Sequence, residues 1–252
     1  MTANIPSPED YPRTAYINGK CINIIASLWH SPEREVWKSG AVTDGGSEEN
    51  VLAGVSAWLR WRKERMAAGM SAAQPNMVIS EHHSPGWDTV ALLWGIELRV
   101  ASGGDSFASI NPEAAAAAYD ANTVCAVVTA SADPAGADET ARLSALLSSR
   151  GITPHIHIDA TTLGLVLPFH NPELPWDFRQ PGVVSISTHE ENTPEAHFPG
   201  RGWVVWRDRS LIPDGMSVCV NYLGEEICQT GLNFTRPVTG LLDNYARYIR
   251  SH

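Results

Sequence analysis

Three segments of the 252-residue sequence combine residue types that do chemistry with a spacing that brings them together. The first contains His155, His157 and Asp159. Because side chains alternate in direction along a β-strand, a strand here places all three on one face. Such a group can bind a metal ion, or it can leave Asp159 as a buried carboxylate that pairs with a cationic ligand. No second cluster with metal-ligand spacing accompanies it, since His82-His83 is the nearest pair, and no metal site is predicted.

The second segment is a glycine-rich turn that contains Gly45, Gly46 and Ser47 and opens a predicted helix. Glycine lets the backbone approach a ligand closely, and the free N–H groups at a helix start favour an anion such as phosphate. A tight turn with Ser47 as the helix N-cap accounts for the same residues without any ligand. Both interpretations stay open on the sequence of this turn alone.

The third segment is polar, covers residues 189–197 and lies between two apolar runs. It begins with His189 and Glu190 and carries further carboxylates and a second imidazole. Imidazoles beside carboxylates can act as acid–base partners in catalysis. A solvated loop that merely carries charge is the alternative, and the composition of the segment does not decide between the two.

Composition and charge exclude several classes of protein. The chain is 43% hydrophobic and has a net charge of −10, which is typical of a globular domain and disfavours nucleic acid as a partner. No apolar run has the length of a membrane span, and the start lacks a signal-peptide pattern, so we expect no membrane partner and a cytoplasmic location. Cys125 and Cys219 lie in apolar runs, which is typical of buried thiols in a reducing compartment.

Apolar runs with strand and helix character alternate along the chain. Strands are predicted at 77–80, 98–101, 124–129, 155–158, 183–187, 203–207 and 217–220. Helices are predicted at 16–29, after the turn at 43–47, and at 87–94, 112–119, 138–148 and 238–249. Continuous apolar strands that alternate with helices predict an α/β fold with a mostly parallel sheet covered on both faces. Ligands of such a sheet bind beyond the carboxyl ends of its strands.

Sequence segments in a fixed order extend over nearly the whole chain. They read YPRTA at 11–15, LWHSP at 28–32, GGSE at 45–48, RWRK at 60–63, HIDA at 157–160, PELPWDF at 172–178, PGRGWVVWRD at 199–208, NYLG at 221–224 and LNFTRP at 232–237. Together they resemble the large domain of glutamate decarboxylase, from the group II decarboxylases that depend on pyridoxal phosphate (PLP). The resemblance implies the three-layer fold-type-I large domain without its C-terminal small domain. It also implies an N-terminal arm at 1–15, a single domain at 16–252 and a homodimer.

The resemblance also implies positions that bind the cofactor. They are Gly45, Gly46 and Ser47 in the phosphate loop, Ser84 at the ring-stacking position, Asp133 near the ring, Asp159 beside the pyridinium nitrogen, and Thr235, which reaches the phosphate across the family's dimer interface. A carboxylate beside the pyridinium nitrogen keeps the cofactor ring an electron sink.

The sequence departs from this pattern at the family's lysine. The family has a Ser-x-His-Lys segment whose lysine forms a Schiff base with the cofactor. The matching stretch here is Ser187-Thr188-His189-Glu190, and no lysine follows Lys63. We therefore expect no cofactor, with PLP at most a non-covalent ligand.

The sequence thus predicts a decarboxylase fold whose cleft serves PLP-independent acid–base catalysis of the lyase, cyclase or isomerase type. The catalytic candidates are His189, Glu190, His83, Asp159 and His157. The nine tryptophans suit a small-molecule substrate that is bulky and apolar. Two alternatives stay open. One is a non-catalytic pseudoenzyme that serves as a scaffold partner of a decarboxylase, and the other is a residual carboxy-lyase that binds PLP without a covalent bond.

Overall fold

The computed structural model describes residues 4–5, 12–33, 38–45, 47–102, 108–161, 163–189, 201–222, 224–232, 236–237 and 245. The helices are α1 (Pro12–Leu28), α2 (Glu48–Ala67), α3 (Gly86–Trp94), α4 (Pro112–Ala118), α5 (Pro134–Ser149) and α6 (Leu167–His170). The strands are β1 (Asn4–Ile5), β2 (Gly40–Thr43), β3 (Asn76–Ser80), β4 (Glu97–Ala101), β5 (Thr123–Thr129), β6 (Ile156–Asp159), β7 (Val183–His189), β8 (Gly202–Trp206), β9 (Ser217–Tyr222), β10 (Glu225–Thr230) and β11 (Arg236–Pro237).

Seven of these strands form one sheet in the order β2-β8-β7-β6-β5-β3-β4. The five strands from β4 to β7 along this order are parallel, and β8 and β2 extend the sheet in antiparallel pairing. Parallel neighbours need crossover connections, and the helices between the strands supply them. The predicted α/β class with a mostly parallel sheet is therefore confirmed. The short pairs β1-β11 and β9-β10 lie outside this sheet.

The two faces of the sheet have separate apolar cores. Residues of α1, α4 and α5 pack in one core, and residues of α2 and α3 pack in the other. Ile156 and Ile158 of β6 belong to the first core. Because side chains alternate along a strand, His157 and Asp159 point to the opposite face, toward α2 and α3. This alternation places the polar residues of β6 under α2.

Most predicted elements are present, with ends that differ by a few residues. The sequence analysis missed the two-residue strands β1 and β11 and the four-residue helix α6. It also missed β2 and β10, which are a four-residue and a six-residue strand. Four residues are too few for a strand period to be recognised, and the polar composition of β10 resembles a loop. The predicted helix at 238–249 lies outside the described residues apart from residue 245. α1 begins within the predicted arm, and the division of the chain at residues 15 and 16 stays a prediction.

The cysteines differ from one another in environment. Cys21 and Cys125 are free and buried, and burial raises the pKa of each thiol to about 12. Cys219 is exposed and disulfide-bonded, so the prediction of a buried thiol is wrong for this residue. The residue opposite Cys219 in the β9-β10 register is Cys228.

Among the helices that the structure describes, none is long and apolar enough to cross a bilayer.

Candidate active site

A buried carboxylate marks the carboxyl end of β6. Asp159 is 1% exposed. Its Oδ2 accepts hydrogen bonds from Trp87 Nε1 at 2.8 Å and Asn50 Nδ2 at 3.2 Å, and its Oδ1 accepts one from the backbone N–H of Thr161 at 3.1 Å. Burial raises the pKa of Asp159, while the hydrogen bonds from Trp87 and Thr161 act in the opposite direction. All three donors are neutral, so a cationic group of a ligand would favour the ionised carboxylate strongly.

Asn50, in the first turn of α2, links this carboxylate to two neighbouring strand ends. Its Nδ2 also donates to Ser84 Oγ at 2.8 Å, and its Oδ1 accepts a hydrogen bond from Ser187 Oγ at 2.7 Å. The side chain therefore joins α2 to the ends of β6 and β7 and to the loop after β3. The sequence analysis missed Asn50, because the run Glu48-Glu49-Asn50 has the composition of a solvated first helical turn.

His157 is enclosed next to this network. Its Nδ1 lies 2.8 Å from Ser185 Oγ and its Nε2 lies 3.0 Å from Ser187 Oγ. The Trp87 ring meets the imidazole edge-on at 5.0 Å between centroids. Burial lowers the pKa of His157 to about 3, which keeps the ring neutral at ordinary pH. Both ring nitrogens face hydroxyls of the protein, so His157 supports the site rather than facing a substrate.

A buried glutamate and a partly buried histidine lie close together at the end of β7. His189 Nδ1 is 3.3 Å from Glu49 Oε1, and the side chains of His189 and Glu49 are 15% and 1% exposed. Glu49 Oε2 accepts a hydrogen bond from Thr43 Oγ1 at 3.1 Å. Gly202 lies opposite His189 in the sheet, and a Cβ at that position would overlap Thr43 Oγ1 and Glu49 Oε2. The absence of a side chain at Gly202 therefore makes room for the carboxylate of Glu49. The sequence analysis did not identify Glu49 as a site residue.

The glycine-rich turn leads into α2 in a left-handed conformation. Gly45 has a φ of 77° and Ser47 has a φ of 93°. Ser47 occupies the N-cap position, but its side chain makes no capping hydrogen bond. A Cβ added to Gly86 would approach Ser47 Oγ to 2.9 Å, so the turn packs closely against the start of α3. The N-terminal amides of α2 suit an anion here, since the first N–H groups of a helix lack intrahelical partners.

The other predicted site residues fall into three groups. Ser84 joins the cluster through Asn50, while His83 lies beside it, with Nδ1 3.0 Å from the backbone oxygen of Ser80. Asp133 is exposed and serves as the N-cap of α5, accepting a hydrogen bond from the backbone N–H of Ala135 at 3.0 Å. Gly46, Glu190 and Thr235 lie outside the described residues, so the roles expected of them stay predictions.

His155, which directly precedes β6, contacts a residue outside the Asp159 and His189 groups. His155 Nε2 lies 3.3 Å from Arg60 Nη1, and burial lowers the pKa of His155 to about 4. Within the described residues, no group of three or more His, Cys, Asp or Glu side chains could hold a metal ion. The tryptophans Trp29, Trp87, Trp203 and Trp206 are fully buried core residues, and Trp87 also contacts Asp159 and His157.

Comparisons with known proteins match the chain over nearly its whole length. A family model described as the pyridoxal-dependent decarboxylase conserved domain matches residues 2–241. Glutamate decarboxylase of Lactococcus lactis subsp. cremoris (strain MG1363) is 34% identical over 257 residues, which cover 99% of this chain and 55% of that protein. The solved structure of Lactobacillus brevis CGMCC 1306 glutamate decarboxylase superimposes with a TM-score of 0.82 at 34% identity and covers 98% of this chain and 57% of its own.

A more distant solved structure, of Oryza sativa TDC with PLP and tryptamine, shares the fold with a TM-score of 0.71 at 15% identity. It covers 97% of this chain and 54% of its own. This chain spans about half the length of the curated relatives it matches. The matching family model describes a domain of pyridoxal-dependent decarboxylases. The expectation from the sequence that no cofactor is used is therefore wrong.

The residues present fit PLP at two of its three usual anchors. Asp159 offers a buried carboxylate to the pyridinium nitrogen, and the turn before α2 offers backbone N–H groups to the phosphate. None of the residues described around Asp159 and His189 is a lysine that could bind the cofactor covalently. Lys63 is 80% exposed beside Asp214 and Lys20 lies over the Tyr16 ring. Lys38 Nζ lies 3.3 Å from Glu226 Oε2, and no lysine follows Lys63. The donor set therefore suits a cofactor that is held by hydrogen bonds and charge.

Proposed function

This chain belongs to the pyridoxal-dependent decarboxylase family, and from that premise we propose that it binds PLP reversibly, without a covalent bond to lysine, and acts as a carboxy-lyase on an amino acid. The observation that carries the proposal is Asp159, a buried carboxylate that accepts its described hydrogen bonds from neutral donors alone. A pyridinium cation is the part of PLP that such a carboxylate stabilises.

Two of the three anchors of the cofactor, the pyridinium nitrogen and the phosphate, have a group in this chain. When bound, PLP supplies an electron sink for the α-carbon of an amino acid. Asp159 holds the proton on the pyridinium nitrogen, and Trp87 and Asn50 fix the orientation of the carboxylate. Ser47 and the N–H groups at the start of α2 bind the phosphate.

The reaction replaces the carboxyl group of the substrate with a proton. The bond between the α-carbon and the carboxyl carbon breaks, CO2 leaves, and the electron pair that stays behind accepts a proton. His189 is the acid–base residue for this transfer, because its imidazole combines partial exposure with a buried carboxylate partner. The substrate class is an amino acid, as for the glutamate decarboxylases to which this chain is similar. The homodimer implied by the resemblance belongs to the same proposal, since Thr235 is matched to a residue that acts across that interface.

A titration with PLP tests the proposal. We expect wild-type protein to bind PLP saturably and to release it on dialysis. Asp159→Asn removes the charge opposite the pyridinium with little change in side-chain size. A hydrogen bond to a charged group contributes about 1.5–3 kcal/mol, so the Kd for PLP should rise about 10- to 100-fold. Calorimetry with the absorbance spectrum recorded alongside measures both quantities.

Asp133→Asn is the matched control, because Asp133 is an exposed helix cap that the sequence also assigned to the cofactor. Its Kd for PLP should equal that of the wild type. Equal affinities in wild type and Asp159→Asn would contradict the assigned role of Asp159. No saturable binding by the wild type would reject the proposal and favour the pseudoenzyme alternative.

A further inference from the structure

A cavity of about 390 Å³ lies between α2 and the segment that follows β8. Three cationic side chains line it, namely Arg60 and Lys63 of α2 and Arg209 of the segment after β8. Asp214 is the one carboxylate among the described residues of its lining. The chain as a whole has a net charge of −10, so this basic cavity differs from the rest of the protein and attracts anions.

The basic cavity lies at the opposite end of the parallel strands from Asp159. Asn50 and Arg60 are ten positions apart on α2, which corresponds to about 15 Å along the helix axis. Arg60 Nη1 lies 3.3 Å from Nε2 of His155, which directly precedes β6, whereas Asp159 is the last residue of that strand. The basic cavity is therefore separate from the candidate active site.

The guanidinium of Arg60 is held at the wall of the basic cavity by two neighbours. Its Nη1 donates to Glu64 Oε1 at 3.0 Å and to His155 Nε2 at 3.3 Å. Burial and the positive charge of Arg60 lower the pKa of His155 to about 4, so the ring is neutral at ordinary pH and accepts this hydrogen bond. Within the described ranges, the hydrogen bonds of Arg60 all use Nη1, which leaves Nε and Nη2 as donors for a ligand.

Arg209 and Lys63 have only weak partners for their charges. The backbone N–H of Arg209 donates to Glu33 Oε1 at 3.3 Å, while Nη1 of its guanidinium lies 3.4 Å from the backbone oxygen of Ile212. In the part of the chain that the structure describes, no carboxylate pairs with this guanidinium. Lys63 Nζ lies 3.4 Å from Asp214 Oδ2, and the two side chains are 80% and 97% exposed. An exposed pair of this kind contributes little to stability, so an anion can replace Asp214 beside Lys63.

We propose that the basic cavity is a second ligand site, which binds a phosphate group that is either free or part of a small phosphate ester. Guanidinium groups bind phosphate oxygens through pairs of parallel hydrogen bonds, and the ammonium of Lys63 adds a further charge. Leu59, Ile212 and Pro213 provide an apolar wall for the organic part of an ester. The volume lies within the range of small-molecule sites, which is about 300–1,000 Å³.

A phosphate titration followed by NMR tests where the anion binds. Inorganic phosphate is added at constant ionic strength to the full chain without PLP, and the backbone amide signals are recorded. We expect saturable shifts at residues 59–64 and 208–214. Shifts confined to residues 47–52 would overturn the proposal, because phosphate would then bind only at the start of α2. Shifts that do not saturate, or that spread over all exposed basic residues, would show non-specific attraction and would also overturn it.

Arg209→Gln removes one guanidinium from the basic cavity. The Kd for inorganic phosphate should rise about 10-fold, because a hydrogen bond to a charged group is lost. Arg62→Gln is the matched control, since it removes the same charge from α2 at a residue outside the described lining, where the guanidinium lies 5.3 Å from the centre of the Trp58 ring. Its Kd should stay within about twofold of the wild type, because salt screens the more distant charge.

An unchanged Kd in Arg209→Gln, or an equal rise in Arg62→Gln, would overturn the proposal. Circular dichroism establishes that each variant is folded. If Arg209→Gln does not fold, Lys63→Gln provides the test by the same criterion, because Lys63 is largely exposed.

Phenyl phosphate distinguishes the two sources of the phosphate group. If an ester is the ligand, phenyl phosphate should bind about 10-fold more tightly than inorganic phosphate, because its ring buries apolar surface against Leu59, Ile212 and Pro213. An equal or higher Kd would assign the site to free phosphate. None of these measurements contains PLP, so their outcome is independent of the proposed function.

Discussion

Lowering the pH from about 7 to about 4.5 should reduce the free energy of unfolding by about 2.5 kcal/mol through His157 alone. Burial lowers the pKa of this imidazole from 6.5 to about 3 in the folded protein. The unfolded chain takes up the proton near the ordinary pKa, whereas the folded protein does so only near pH 3. Each pH unit between these values favours the unfolded state by about 1.4 kcal/mol.

Acidification lowers the free energy of unfolding because His157 is a base whose pKa is lower in the folded protein than in the unfolded chain. The contribution of neutral His157 is fully present above about pH 6.5 and is lost as the pH falls toward 3. His155, whose pKa burial lowers to about 4, acts in the same direction. Asp159 opposes both, because its raised pKa means that protonation on acidification relieves a buried charge. Asp120, with a pKa near 2, stays ionised across this interval.

The variant that isolates the effect is His157→Gln, which keeps a polar side chain between the two serine hydroxyls but cannot take up a proton. Between pH 7 and 4.5 its free energy of unfolding should fall by about 2.5 kcal/mol less than that of the wild type, whatever its stability at pH 7. Urea denaturation at a series of pH values gives the slope. His170→Gln changes an exposed imidazole at the end of α6 and should keep the wild-type slope. Equal slopes in His157→Gln and wild type would mean that His157 is protonated inside the fold.

The strand period was enough to predict which residues of β6 face the site. His157 and Asp159 alternate with Ile156 and Ile158, and the apolar pair packs in the opposite core. The capping role of Asp133 can also be predicted from the local sequence. An aspartate directly before a proline is typical of an N-cap followed by the first residue of a helix. In the structure Asp133 is the N-cap of α5 and Pro134 is its first residue. The family resemblance had instead assigned Asp133 to the cofactor ring.

The partners of the buried polar residues could not be predicted in the same way. Asn50 bonds to Asp159 and Ser187, which are 109 and 137 residues away. Such contacts depend on the order of strands in the sheet, and that order places β6 and β7 under the start of α2. No local pattern in 48–50 distinguishes Glu49, which is buried against His189, from Glu48, which bonds to the neighbouring backbone.

The expected absence of a cofactor was the larger error of the sequence analysis, and this error has a physical cause. The sequence analysis treated the lysine as the feature that decides whether PLP binds. A covalent bond is one of three anchors, however, and the other two are charge and hydrogen bonding at the pyridinium and the phosphate. Those two anchors depend on Asp159 and on the turn before α2, which the chain retains.

The second large effect is expected from restoring a lysine. Glu190 matches the family's lysine in the segment Ser187-Thr188-His189-Glu190 and directly follows the last residue of β7. In Glu190→Lys, the new amine should bond to the aldehyde carbon of PLP with loss of water, and borohydride should reduce that bond to a permanent one. Wild type treated in the same way should carry no PLP on peptides of residues 183–200.

Peptide mass spectrometry after reduction measures the outcome, and Glu191→Lys is the matched control one position further along the chain. Attachment in Glu190→Lys alone means that the chain keeps the family's register at this position, with PLP held beside the end of β7. Equal attachment in both variants means that a nearby amine is sufficient and that the register is lost. Attachment in neither, together with reversible PLP binding by the wild type, would place the cofactor away from His189 and would remove His189 from the proposed reaction.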